Sequence, residues 1–76
     1  MSQANLIKMA NQIGAFFDAM PDRDQAMADI AQHLHRNWES RMRQHLLAQV
    51  DAGAAPELSS IVSEALRRHR DLILPA

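Results

Sequence analysis

Leu34-His35-Arg36-Asn37-Trp38-Glu39-Ser40-Arg41-Met42-Arg43 holds the only tryptophan of the chain, with Arg36, Arg41 and Arg43 close by. Two apolar phases meet in it. Met27, Ile30, Ala31, Leu34 and Trp38 recur at helical spacing, and after Asn37 the phase restarts with Met42, Leu46, Leu47 and Val50. Ser40 is a suitable cap for the second of these helices, so Trp38 falls at a helix corner. An indole carries a large apolar area and one N–H, while guanidinium groups offer planar, multi-donor contacts to carboxylates or carbonyls. At a corner such a ring either plugs the end of a bundle or reaches out to a partner, and the spacing leaves both open.

Upstream, Leu6, Met9, Ala10, Ile13, Phe16, Phe17 and Met20 form one stripe, predicting a helix from about Gln3 to Ala19. Gly14 sits beside that stripe at a cost of about 1 kcal/mol against Ala, and its bare backbone lets another helix come close. Pro21 disfavours helical geometry at Met20, Asp22 with Gln25 reads as a capping box, and Asp24 complements the dipole of a second helix. The short connection predicts an antiparallel helical hairpin.

Downstream, Gly53 in Asp51-Ala52-Gly53-Ala54-Ala55-Pro56 suits the left-handed position after a helix, and Pro56 is expected to start the next one. Leu58, Ile61, Val62, Ala65, Leu66, His69, Leu72 and Ile73 make the best stripe in the chain, flanked by Arg67, Arg68 and Arg70, and Pro75 is expected to stop it. With two glycines and no tyrosine, the composition favours helix over sheet. The expected fold is all-α, a compact bundle of four short helices in a single domain over residues 1–76.

A chain of 76 residues lies near the lower limit for folding alone, so stability is expected to draw on a partner, and homo-oligomerisation of the isolated chain stays open. With no cysteine, disulfides and thiolate metal sites are excluded, and a cytoplasmic location is expected. The net charge of -1 gives counterion release little to work with. No apolar run approaches the roughly 20 residues a membrane span needs, and the N-terminus lacks the pattern of a signal peptide.

Of the four histidines, His33 and His35 project about 200° apart on a helix and cannot share an ion, while His45 and His69 stand alone. His69 reads as a partly buried or hydrogen-bonded member of the last stripe. Ser59, Ser60 and Ser63 match no nucleophile and base arrangement, and neither glycine lies in a phosphate-binding loop. Met27 reads as core, whereas Met9, Met20 and Met42 fit core or surface equally. Trp and Arg are enriched at interface hot spots, so the candidate partner-binding residues are Phe16, Phe17, Arg36, Trp38, Arg41 and Arg43. The alternative is a helical, homodimeric nucleic-acid-binding regulator using Arg67, Arg68 and Arg70.

One combination goes further: Leu6-Ile7-Lys8-Met9-Ala10-Asn11-Gln12-Ile13 with Phe16-Phe17, then Met20-Pro21-Asp22-Arg23, Ile30-Ala31-Gln32-His33-Leu34 and Trp38-Glu39-Ser40-Arg41-Met42-Arg43. In order and spacing it resembles the delta subunit of cytoplasmic, NAD-dependent, molybdenum-containing formate dehydrogenases. Ile61-Val62-Ser63-Glu64-Ala65-Leu66-Arg67-Arg68-His69-Arg70 also looks like that family, whose pattern tends to have an aromatic at Asn37 and a proline at Ser40. The resemblance implies a non-catalytic accessory subunit with no cofactor in this chain. Its partner would be the alpha subunit, which holds bis-molybdopterin guanine dinucleotide and iron–sulfur clusters, in a complex that also uses FMN and NAD. Assembly, cofactor maturation or stability of the alpha subunit is the implied role, and a third reading has the arginines bind the cofactor's phosphates during maturation.

Overall fold

The computed structural model describes residues 2–74, so the expected stop at Pro75 lies outside the described residues. Five helices follow in order: α1 Gln3–Asp18, α2 Arg23–Asn37, α3 Ser40–Asp51, α4 Ser60–Arg68 and a single turn, α5 Arg70–Ile73. Among the described residues there is no strand. The all-α expectation holds.

Local chemistry accounts for most boundaries. The Ser2 hydroxyl accepts from the Asn5 N–H at 3.1 Å and opens α1. Asp22 caps α2 by accepting from the Gln25 N–H at 3.2 Å, with Asp24 in the first turn, which satisfies a helix-end donor and places negative charge at the positive end of the dipole. At the end of α3, Gly53 adopts φ 68. Its N–H donates to Val50 O at 3.1 Å and that of Ala54 to Gln49 O at 2.8 Å. This paired reverse bonding satisfies two otherwise orphaned carbonyls and requires the left-handed backbone that glycine adopts freely.

Three boundaries differ from expectation. Ser40 is the first residue of α3 rather than its cap; Glu39 takes the cap position and makes no side-chain cap bond. Pro56 does not start a helix, and α4 begins only at Ser60. The cause lies across the fold, where the Asn11 amide donates to Glu57 O at 2.9 Å and its oxygen accepts from Ser59 N–H at 2.8 Å. Gln3 donates to Ala54 O at 3.1 Å. The segment is thus strapped to α1 before the helix begins, with Leu58 buried beneath it. Finally, the last stripe is not one helix: the backbone breaks at half-buried His69 (φ -116, ψ 30), and α5 turns to pack on α2 and α4.

The core gathers Leu6, Met27, Ile30, Leu34, Leu46, Leu47, Val62, Leu66 and Ile73, with Trp38 closing it beside the α2–α3 corner. Small residues Ala10, Ala26, Ala31 and Ala65 are fully buried among them, and none of the buried described residues is polar or charged. Met27 belongs to the core; Met20 and Met42 pack against it, while Met9 is 39% exposed. Gly14 is the tightest approach, since a Cβ there would stand 2.4 Å from Val62 Cγ2. α1 and α2 pack directly on each other across a connection of residues 19–22, as the expected hairpin requires.

Exposed ion pairs join the ends of the elements. Arg23 reaches Asp18 and Glu64, both at 3.6 Å, and Arg68 reaches Asp24 at 2.8 Å and Glu64 at 2.9 Å. Arg70 grips Asp51 with two bonds of 3.0 and 2.7 Å. That hydrogen-bonded guanidinium holds the Asp51 carboxyl below its ordinary range, and Asp51 in turn raises Arg70.

Two outcomes follow from this packing. Gly14→Ala is expected to destabilise by about 1–3 kcal/mol through overpacking, a cost that shrinks when Val62→Ala opens the space; urea melts of the two single variants and the double variant measure that coupling. Because the folded Asp51 pKa lies below its unfolded value, its contribution is complete above the unfolded value, about 4. It is lost as pH falls through the folded one. Asp51→Asn is expected to flatten the acid limb of stability against pH, and an unchanged limb would show that the pair does not act in solution.

Candidate docking surface

Along α1, Met9, Ile13 and Phe16 stand at four- and three-residue spacing on one side of the helix, and Phe17 turns towards α2. Folding leaves this side incompletely covered. Phe16 is 76% exposed and Met9 39%, while Ile13 and Phe17 are half-buried against the core. Across from them stand His33 and Trp38, and with Gln12 these residues line a groove of about 460 Å³. The Phe16 and Phe17 rings meet edge to face with centroids 5.0 Å apart, and Phe17 lies 6.1 Å from the His33 ring. The groove is therefore an aromatic trough between α1 and the second half of α2.

Trp38 is 6% exposed. Of the two readings open at the corner, the structure takes the plug: the indole closes the core and offers only an edge to the groove. Its backbone is extended (φ -96, ψ 137), which ends α2, and its N–H donates to Leu34 O at 3.0 Å. Asn37 secures the same turn by donating to His33 O at 2.9 Å. Arg43 is directed inward, its Nε donating to Trp38 O at 3.1 Å and its Nη1 to Ile73 O. The guanidinium thus ties the corner to α5.

Arg36 and Arg41 remain outside. Arg36 is exposed near the end of α2, three residues beyond His33 and so on nearly the same side of the helix. With the Gln32 amide oriented to face it, Gln32 accepts from Arg36 Nε at 3.0 Å and Nη2 at 3.1 Å. Arg41 is exposed at the start of α3 and makes no hydrogen bond or ion pair among the described residues. Of the six residues singled out in the sequence, Phe16, Phe17 and Trp38 come together in the groove. Arg36 and Arg41 flank Trp38 along the chain, and Arg43 belongs to the interior bonding.

Met9, Gln12, Ile13 and His33 are the groove residues that the sequence reading did not single out as a surface. For Met9 and Ile13 the signal was present as an α1 stripe wider than one neighbouring helix can cover, whereas Gln12 and the α2 residue His33 stand outside that stripe. A second, more polar depression of about 890 Å³ lies between α1 and the strapped loop, lined by Gln3, Ile7, Lys8, Asn11 and Glu57 among others. It has no comparable exposed aromatic.

Among the described residues no group of three or more His, Cys, Asp or Glu side chains is placed to hold a metal ion. Ser59 Oγ and His35 Nδ1 are buried without hydrogen-bond partners, and Ser59 has no base beside it to raise its nucleophilicity. Arg68 and Arg70 are engaged by carboxylates, which leaves Arg67 of the basic group near the C-terminus. No described helix is long and apolar enough to cross a membrane.

Neither a curated protein nor a solved structure matches the chain. Residues 5–66 match the family described as NADH-dependant formate dehydrogenase delta subunit FdsD, a span that takes in most of α1, all of α2 and α3, the strapped loop, most of α4 and the whole groove. The match covers most of the chain, and the chain belongs to this family of formate dehydrogenase delta subunits.

Proposed function

We propose that the chain is a non-catalytic accessory subunit that docks on the alpha subunit of a cytoplasmic, NAD-dependent formate dehydrogenase and supports its assembly, cofactor maturation or stability. The observation that carries this reading is Phe16, a large aromatic left 76% exposed beside a trough in a member of a complex-forming family. Transferring such a side chain out of water is worth about 1.5–3 kcal/mol, and folding of the isolated chain leaves most of that unrealised. A partner that covers it gains this free energy.

Within this reading the six residues divide their roles. Phe16, Arg36 and Arg41 make direct contact, while Phe17 and Trp38 form the wall against which the partner packs. Arg43 holds the corner in shape from inside. Formate oxidation, with bis-molybdopterin guanine dinucleotide, iron–sulfur clusters and FMN, belongs to the other subunits.

The test is co-purification of the alpha subunit with a tagged chain after co-expression of the complex. Phe16→Ser combined with Arg41→Ala is expected to lower the recovered alpha subunit by about tenfold or more, since truncating even one hot-spot side chain costs about 2 kcal/mol. The thermal melt of the isolated variant should stay close to that of the wild type, because both side chains lie outside the core. Undiminished recovery contradicts this placement of the interface, and a wild-type chain that never retains the alpha subunit contradicts the docking role itself.

A further inference from the structure

Of the exposed arginines, three are held by carboxylates, and Arg36, Arg41 and Arg67 are not. Arg23, Arg68 and Arg70 all have carboxylate partners, provided by Asp18, Asp24, Glu64 and Asp51. Those partners gather near the start of α2 and where α3 ends beside α5. At the other end of α2, Arg36 has only the neutral Gln32 amide, and Arg41 has no polar partner among the described residues. Glu39, exposed between them, offsets one of these two charges and forms no ion pair. Lys8, next to Met9 on α1, is also exposed and unpaired among the described residues.

Resting on the docking role proposed above, we infer that the groove formed by Met9, Ile13, Phe16, Phe17, His33 and Trp38 receives an acidic amphipathic segment of the alpha subunit. That segment presents one bulky apolar side chain between carboxylates. The apolar side chain enters the trough, whose volume of about 460 Å³ admits a few side chains but no second helix backbone. The flanking carboxylates meet Arg36 and Arg41, whose fork-shaped donors bind them in pairs. Charge complementarity of this kind sets orientation and speeds encounter, while the apolar anchor supplies the affinity.

A nucleic acid suits the site less well. Its phosphates would find the two guanidinium groups on different helices with an apolar trough nearby, and Glu39 between them repels a polyanion. A second copy of the chain offers less negative charge than such a segment, since four of its nine acidic residues, Asp18, Asp24, Asp51 and Glu64, already hold arginines.

The test places a benzophenone amino acid at Gln12, an exposed residue bordering both the groove and the polar depression, in the chain co-expressed with all subunits of the complex; a second chain carries it at Ala4, which lines only the depression and so controls for binding there. Photolysis and mass spectrometry are expected to join Gln12, and not Ala4, to an alpha-subunit segment with carboxylates on both sides of a bulky apolar residue. Arg36→Glu with Arg41→Glu should lower that cross-link by about tenfold. Lysines in place of the segment's carboxylates should restore it. Cross-links to a neutral or basic segment, to a second copy or to nucleic acid overturn the inference, as does a yield indifferent to charge reversal. If the alpha subunit co-purifies but is joined only from Ala4, the inference fails while the docking role stands. If the wild-type chain retains no alpha subunit, both fall.

Discussion

The Arg43 guanidinium donates to the carbonyl of Trp38 at one helix corner and to that of Ile73 in the final turn. These bonds connect segments thirty residues apart, and much of the architecture is arranged about them. Trp38 must be extended for its carbonyl to face Arg43, and the same extended backbone ends α2 and lets α3 leave in a new direction. Ile73 must turn back for its carbonyl to arrive, which requires the break at His69. Both carbonyls lie at partly buried positions where an unpaired acceptor would cost about 1–3 kcal/mol. One planar cation with several donors satisfies both.

This arrangement separates two jobs that looked alike from composition. Trp38 and Arg43 belong to the residue types that dominate interfaces, yet here they maintain the shape of the subunit. Phe16, which sits in an ordinary apolar stripe, is the side chain left in water. A bundle of this size has few layers, so each helix can be covered by neighbours on only part of its circumference. α1 carries a stripe broader than that part. The excess is the trough, and among the arginines that the carboxylates leave unpaired, Arg36 and Arg41 stand at the Trp38 corner that closes it.

Features set by neighbouring residues were legible in the sequence: the Asp22 cap and the left-handed Gly53 both appear as read. Features set by distant residues were not. Ser40 looked like a cap because serine commonly is one, but the geometry of Trp38 moves the start of α3 back and puts Glu39 in that position. Pro56 looked like a helix start until Asn11, forty-six residues away, claimed the Glu57 carbonyl. The last stripe kept its apolar period through His69, so periodicity could not register the turn that Ile73 makes there. For the surface, the order and spacing of motifs revealed the family, whereas the inward direction of Trp38 and Arg43 depended on their tertiary bonds.

In the proposed docking, the exposed side of α1 and the outer face of the Trp38 corner meet the alpha subunit, while the Arg43 linkage stays internal. Hydrogen exchange of the chain, alone and within the complex, tests this directly. Added protection on assembly is expected to concentrate in 9–17 and 33–41, with α4 and the loop at 54–58 little altered. Added protection confined to α4, or to the strapped loop and the facing side of α1, would contradict it.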